Sequence, residues 1–165
     1  MVDSLIILFD QNEEAFTSNG LGALPDATSC IVTEDRNGEY EVEMEYPLTG
    51  RHFHDIQKRR ILCVKPNPYD DIQPFRIYSI TKPINGIVTV HAAHLSYDTS
   101  GSIVKLFPAD AGSASAAMSY LKNFSVPSTP FTFFTNVGKS GTMSVPKPSS
   151  IRSLLGGSDG SILDT

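Results

Sequence analysis

The sequence predicts a mainly β protein, α+β overall, in which a small antiparallel β-barrel domain precedes a partial second domain. Residues 39–46 alternate between carboxylate and apolar side chains. This pattern is typical of a strand with one buried face, because successive side chains of a strand point to opposite faces. Six strand candidates separated by Gly and Pro occur before residue 98, and such spacing favours a small barrel or sandwich.

The first domain, residues 1–98, is predicted from apolar runs and the turn residues between them. Asn-Gly pairs at 37–38 and 85–86 indicate hairpin turns, because both residues tolerate positive φ. Residues 49–56 are predicted to form a turn or a short helix. The predicted strands are residues 5–9, 30–35, 39–46, 61–65, 73–80 and 87–93.

The second domain, residues 99–165, is predicted to contain one or two helices and a strand. The first helix covers residues 109–122, with Asp110 or Ser113 as N-cap and with Ala114, Met118 and Leu121 on one face. A strand at 131–135 and a short helix at 149–155, ended by Gly156-Gly157, follow. Residues 158–165 are not predicted to form an element that buries their apolar side chains, so this domain is predicted to be incomplete, as in a truncated chain.

Charge is distributed unevenly along the 165 residues, whose formal net charge is −5. Residues 1–98 carry 8 Lys and Arg against 15 Asp and Glu, and residues 99–165 carry 5 against 3. Specific nucleic-acid binding is disfavoured, because it needs basic residues that neutralise phosphates. No apolar run approaches the roughly 20 residues of a membrane span. The N-terminus has Asp3 where a secretory signal would have a lysine, so a signal peptide is not expected.

A row of glutamates is the most distinctive candidate site. Like charges on one strand face repel each other unless water or cations surround them. A solvated face is the default interpretation, and the alternative is a face that lines a wet channel or meets cations within or between chains. The candidate interface or channel-facing residues are Glu39, Glu41, Glu43 and Glu45, with Lys58, Arg59 and Arg60 as the cationic cluster that could pair with them.

Catalytic, cofactor-binding and metal-binding residues are not predicted. The pairs His52/His54 and His91/His94 lack a carboxylate or cysteine at a spacing that completes a zinc site. No serine lies in a Gly-x-Ser-x-Gly elbow, and Gly156-Gly157 is not followed by the Lys-Ser/Thr of a phosphate loop. Cys30 and Cys63 lie in apolar runs and are predicted to be buried free thiols. The residues alone therefore predict a β-rich binding or assembly module and not an enzyme.

Several ordered motifs resemble the N-terminal region of siphophage tail-tip proteins, the phage minor structural protein, prophage endopeptidase tail or tail-associated lysin family. The matches extend from about residue 5 to residue 164. They comprise Asn19-Gly20-Leu21-Gly22 with Leu24, Thr33-Glu34, Asn37-Gly38, Tyr40-Glu41, Glu43, Tyr46-Pro47, residues 73–78, His91-Ala92, His94, Ser96-Tyr97-Asp98, residues 154–157 and residues 160–164.

The resemblance implies a baseplate hub at the virion tail tip, similar to that of contractile-tailed phages. Such a hub is a homotrimer whose two related β-barrel domains form a pseudo-sixfold ring around the DNA channel. It joins the tail tube and the distal tail protein to the host-contacting or lytic parts. Endopeptidase activity, where family members have it, lies in C-terminal extensions. No cofactor is implied, and DNA passes through the channel without specific binding.

Two other functions stay open at this point. One is a cell-wall hydrolase with glutamates or histidines as catalysts. The other is a receptor- or carbohydrate-binding β module, which ranks last because there is no Trp and because most tyrosines are expected in core positions.

Overall fold

The computed structural model describes residues 5–35, 39–106, 111–138 and 140–156. The chain divides into two compact units, Met1–Leu95 and Ser96–Thr165. Strands dominate and helices are short, so the predicted fold class, mainly β and α+β overall, is confirmed.

The first unit contains one seven-stranded antiparallel sheet that curls as a half-barrel. Its spatial order is β2-β1-β5-β6-β7-β4-β3, so β2 and β3 are the two ends of the row. A 3₁₀ turn at Phe53–Asp55 follows β4, within the predicted turn or short helix. The strands are β1 (Ile7–Phe9), β2 (Gly22–Ala23), β3 (Ser29–Glu34), β4 (Tyr40–Pro47), β5 (Ile61–Val64), β6 (Gln73–Ile80) and β7 (Ile87–His94).

Strand β4 has the two-faced character that its alternation predicts. Val42, Met44 and Tyr46 are at most 1% exposed. Each such side chain stabilises the fold by about 1.5–3 kcal/mol when removed from water. The core around them comes from one face of the sheet and the loops that cover it: Ile6, Leu8, Leu24, Ala27, Ile56, Leu62, Val64, Phe75, Ile77, Val88, Val90 and Ala92.

The turn between β6 and β7 is a two-residue hairpin, as its Asn-Gly pair predicts. Asn85 and Gly86 have φ of 51° and 79°. Ile84 and Ile87 exchange backbone hydrogen bonds of 2.9 and 3.0 Å across the turn. Positive φ at both central residues matches the right-handed twist of the flanking strands. The other predicted turn, at Arg36–Gly38, lies outside the described residues.

The second unit is smaller and built from short elements. A 3₁₀ helix at Leu95–Gly101 leads into it. Its strands form two small sheets, in the orders β10-β8-β12 and β11-β9. Val104, Leu121 and Ile151 form its buried cluster. The elements are β8 (Ile103–Val104), β9 (Ala111–Ser113), α1 (Ala114–Asn123), β10 (Ser125–Val126), β11 (Ser140–Met143), β12 (Ser149–Ser150) and α2 (Ile151–Leu155).

Helix α1 begins later than the sequence predicts. Ser113, one of the two predicted N-caps, accepts a hydrogen bond of 3.2 Å from the backbone N–H of Ala116 through its hydroxyl oxygen. Residues 111–113 pair with β11 as a strand instead of extending the helix. The buried residues of α1 are Ala117 and Leu121, and Ala114 and Met118 of the predicted face are half-buried.

Residues 131–135 were predicted as a strand, and the prediction is wrong at these positions. In the described part of the chain they join no ladder, and the strands of this unit lie elsewhere. Phe133 packs against the buried cluster, whereas Phe134 is 87% exposed. The predicted helix near the end is present as α2, with Ser150 as N-cap and Gly156 as C-cap. Residues 158–165 lie outside the described residues.

Replacement of Gly20 by alanine tests the close approach of the loop after β1. Gly20 has φ of +56°, and a Cβ there would overlap the carbonyl oxygen of Leu8 and come within 2.9 Å of the Phe9 ring. Gly86 also has positive φ, but open space surrounds it. We expect Gly86→Ala to lower the free energy of unfolding by about 1–2 kcal/mol, from backbone conformation alone. Gly20→Ala should lower the free energy of unfolding by at least about 1 kcal/mol more than Gly86→Ala does. Equal losses for the two variants in urea unfolding would contradict the close packing of Gly20 against Leu8 and Phe9.

Candidate functional site

The outer face of β4 carries three carboxylates in a row. Glu41, Glu43 and Glu45 alternate with the buried residues of the same strand, and Glu43 and Glu45 are exposed while Glu41 is half-buried. In the ladder, Glu43 lies between Ile31 of β3 and His91 of β7. Neighbouring carboxylates are two residues apart, or roughly 7 Å along the strand. The row is therefore a continuous acidic surface on the outside of the sheet.

Two of these carboxylates have partners on other strands of the sheet, one on β7 next to β4 and one on β6 beyond it. The hydroxyl of Tyr78 donates a 2.6 Å hydrogen bond to Oε2 of Glu41. Nδ1 of His91 lies 3.7 Å from Oε2 of Glu43, and the rings of Tyr78 and His91 have centroids 6.2 Å apart. Among the described residues, the carboxylate of Glu45 contacts no hydrogen-bonding or ionic partner. On this face Glu41 and Glu43 therefore contact other side chains, whereas the carboxylate of Glu45 is exposed to solvent.

Glu39 does not belong to the strand itself. It is exposed and precedes β4, and its carbonyl oxygen accepts a 2.7 Å hydrogen bond from the backbone N–H of Asp35. This bond closes the end of the β3–β4 hairpin. The predicted row of four is therefore three carboxylates on the sheet and one at the hairpin end.

The predicted cationic cluster lies before β5. Lys58 and Arg59 are exposed, and Arg60 is half-buried. The backbone N–H of Arg59 donates to the carbonyl oxygen of Ile77 at 2.7 Å. The carbonyl oxygen of Arg60 accepts a hydrogen bond from the backbone N–H of Ile77 at 2.8 Å. These bonds extend the pairing of β5 with β6, so the position of the cluster is fixed by the sheet.

The sheet keeps the cationic cluster away from the glutamate row. Strands β6 and β7 lie between β5 and β4, a separation of three strand spacings or about 14 Å. Ion pairs link Asp55 to His52 and Arg60, and Glu43 to His91, and among the described residues none joins Lys58, Arg59 or Arg60 to the glutamates. The structure therefore does not bring the two predicted groups together within one chain. Lys58 and Arg59 are left open to solvent.

Asp55 organises the segment that carries the basic residues. Its carboxylate lies 3.0 Å from Nδ1 of His52 and 3.3 Å from Nη1 of Arg60. The hydrogen bond with His52, helped by Arg60, lowers the pKa of Asp55. His52 has the left-handed φ of 63°, and a Cβ on Gly22 would come within 2.5 Å of its Nε2. These contacts hold the segment between β4 and β5 in place.

The four histidines lie in separate surroundings. His54 is exposed and His52 contacts Asp55. His91 is on the outer face, whereas His94 stacks on Tyr40 with ring centroids 4.5 Å apart. Over residues 5–35, 39–106, 111–138 and 140–156, no group of three or more His, Cys, Asp or Glu is placed to hold a metal ion.

Both cysteines are free, with Cys63 buried and Cys30 half-buried. Burial raises the pKa of Cys30 to about 11 and, with a contribution from Glu13, that of Cys63 to about 12. The thiols are therefore protonated at neutral pH and are poor nucleophiles. Among the helices in the described ranges, none has the length and apolar character needed to cross a membrane.

Two exposed tyrosines were missed at the sequence level. Tyr69 is 96% exposed and Tyr78 is 50% exposed, so the expectation that most tyrosines occupy core positions is wrong for both. Phe75 and Ile77 point into the core, and their alternation would have placed Tyr78 on the outer face. Its contact with Glu41 could not be predicted, because it depends on which strands are neighbours and on an irregular register between Ile77 and Ser79.

Comparison with solved structures gives one informative similarity. The chain is similar to the prophage tail protein gp18 from Listeria monocytogenes EGD-e, with a TM-score of 0.60 and 14% sequence identity. The match covers 92% of this chain and 44% of that chain, so this chain spans less than half of that protein. At this identity the likeness shows a shared fold alone. No protein-family model and no curated protein sequence matches the chain.

Replacing Asp55 by asparagine tests the electrostatics of the β4–β5 segment. We expect a loss of less than about 1 kcal/mol in the free energy of unfolding at neutral pH, because the side chain is 43% exposed and solvent screens it. A lowered folded-state pKa stabilises the fold above the unfolded-state value of about 3.9. That contribution disappears as the pH falls through the folded-state pKa. Urea unfolding should therefore show a difference between the two proteins that shrinks in acid, and a constant difference would contradict this assignment.

Proposed function

We propose that this chain is a structural component of a bacteriophage or prophage tail and acts at the tail tip as part of a baseplate hub. The observation that carries the proposal is the fold shared with a prophage tail protein over 92% of the chain. The ordered sequence motifs that resemble siphophage tail-tip proteins support the same function independently of the fold comparison.

In this proposal the full-length protein forms a homotrimeric ring. The ring joins the tail tube and the distal tail protein to the host-contacting or lytic parts and surrounds the DNA channel. It is located in the virion tail tip after synthesis in the bacterial cytoplasm. It needs no cofactor, and any endopeptidase activity belongs to a C-terminal extension.

The acidic outer face of β4 has a role in this assembly. Glu43 and Glu45 are exposed, and the described part of the chain gives Glu45 no partner for its charge. A carboxylate surface repels phosphates, so DNA could move past it without adhering. The exposed Lys58 and Arg59, which lie about 14 Å away on the same sheet, could meet such a face on a neighbouring subunit. We therefore assign the glutamate face to the channel lumen or to a subunit boundary.

Charge reversal on this face tests the proposal. The double substitution Glu41→Lys/Glu43→Lys, made in the full-length protein of the phage, should impair DNA delivery or tail assembly. Both side chains lie on the outer face, where Glu43 is exposed and Glu41 is half-buried. The variant should still fold, because loss of the Tyr78 hydrogen bond costs roughly 1 kcal/mol and loss of the His91 contact costs about 1 kcal/mol or less. Infectious titre and electron microscopy of tails are the readouts.

Matched variants separate charge from folding in that test. Glu14→Lys alters an exposed side chain in the loop after β1 and should leave the titre unchanged. Glu41→Gln/Glu43→Gln removes the charge without reversing it and should have an intermediate effect. Normal infectivity of the double lysine variant would contradict both placements of the face.

The proposal also predicts that the chain is not a hydrolase. Incubation of the purified chain with peptidoglycan should release no soluble fragments above the level seen with a heat-denatured sample. Release that disappears on Glu43→Gln or His91→Ala would instead assign a cell-wall hydrolase to the outer face of the sheet.

A further inference from the structure

The loop between β5 and β6 presents an aromatic side chain that the fold does not use. Tyr69 is 96% exposed, and Ile72 in the same loop is 47% exposed. Transfer of such apolar surface out of water is favourable, so a fully exposed ring on an ordered loop is available for contact with another molecule.

Asn67 holds this loop in shape. Its side-chain oxygen accepts hydrogen bonds from the backbone N–H groups of Tyr69 and Asp70, at 2.9 and 3.0 Å. Its amide nitrogen donates to a carboxylate oxygen of Asp70 at 2.5 Å. The backbone at Tyr69 is therefore held in place before any partner binds, which reduces the backbone entropy lost on binding.

Carboxylates surround the loop. Val64 pairs with Gln73 at one end of the β5–β6 hairpin, and Glu34 pairs with Tyr40 at the end of the β3–β4 hairpin. Both hairpins end at the same side of the sheet, since Phe75 and Tyr40 are in ring contact there. Charges of Glu34 and Asp70 both raise the pKa of Tyr40, after the larger effect of burial, so both carboxylates lie near its ring.

This end of the sheet is consequently acidic. Within the described residues of the first unit, Lys65 is the only cation in the loops at this end of the sheet, and it is exposed. The exposed carboxylates at this end are Glu34, Asp35, Glu39, Asp70 and Asp71. Nucleic acids and anionic membranes would be repelled by such a surface.

We propose that the Tyr69 loop is a docking anchor for a second protein, whose surface offers an apolar pocket for the Tyr69 ring and a rim of Lys and Arg. Tyrosine is among the residues that dominate binding energy at protein interfaces. The surrounding carboxylates select a basic rim and speed its approach. The inference rests on the proposed function in one respect, namely that the partner is part of the same tail particle.

Photo-cross-linking in assembled tails tests the inference. Tyr69→p-benzoylphenylalanine places a light-activated group at the tip of the loop, and mass spectrometry of the cross-linked peptides identifies what lies against it. We expect a specific cross-link to a different protein, at a peptide that contains or adjoins Lys and Arg. The matched control is Ile84→p-benzoylphenylalanine at the β6–β7 turn, where Ile84 is 75% exposed, and it should give no such product.

Charge variants in the same background test the basic rim. Asp71→Lys should lower the yield of the Tyr69 cross-link at least about tenfold, because it sets a positive charge against a basic rim, whereas Asp71→Glu should preserve it. Both substitutions are at an exposed site, so neither should prevent folding.

The outcomes separate this inference from the proposed function. Three results in tails that contain the chain would overturn the docking anchor and leave the tail function intact. They are the absence of a cross-link from position 69, a cross-link to a second copy of the chain, and a cross-link to an acidic surface. Tails that assemble and infect without the chain would overturn both.

Discussion

Strand β4 is paired along both of its edges, with β3 on one side and β7 on the other. Its backbone hydrogen bonds are therefore used within the sheet, and only its two faces remain to interact with anything else. Because side chains alternate between those faces, a shift of one residue would bury three carboxylates and expose Val42, Met44 and Tyr46. Burial of an unpaired carboxylate costs several kcal/mol. This constraint fixes the register of the central strands, and the positions of the outer-face residues follow from it.

The same constraint determines which side chains the outer face of β4 presents. The outer face of β4 has to be polar, and Tyr78 on β6 and His91 on β7 accommodate two of its charges. The loop between β5 and β6 places no residue in the buried core, so it can present the exposed side chain of Tyr69. At β4 the buried side chains lie on one face, whereas at β5 the side chains of both faces are buried. The outer face of β4 and the loop between β5 and β6 are the surfaces on which the proposed assembly role depends.

Prediction from sequence succeeded where the signal is local. Alternation identified β4, the strand at 73–80 matched β6, and Asn85-Gly86 gave the turn after it. The strand order was not predictable, because β1 and β5 become neighbours through contacts distant in sequence. For the same reason the separation of Lys58 and Arg59 from the glutamates appeared only in the structure. Residues 131–135 have strand composition, but in the described part of the chain no neighbouring strand pairs with them, which composition cannot reveal.

The central proposal is that this sheet forms part of a ring around a tail channel. An electron cryo-microscopy reconstruction of an intact tail carrying the chain tests that claim directly. The account predicts three copies around the tail axis at the tip, with the outer face of β4 towards the lumen or between subunits. Density that places the chain outside the channel wall, with Glu43 and Glu45 facing bulk solvent in every copy, would contradict it.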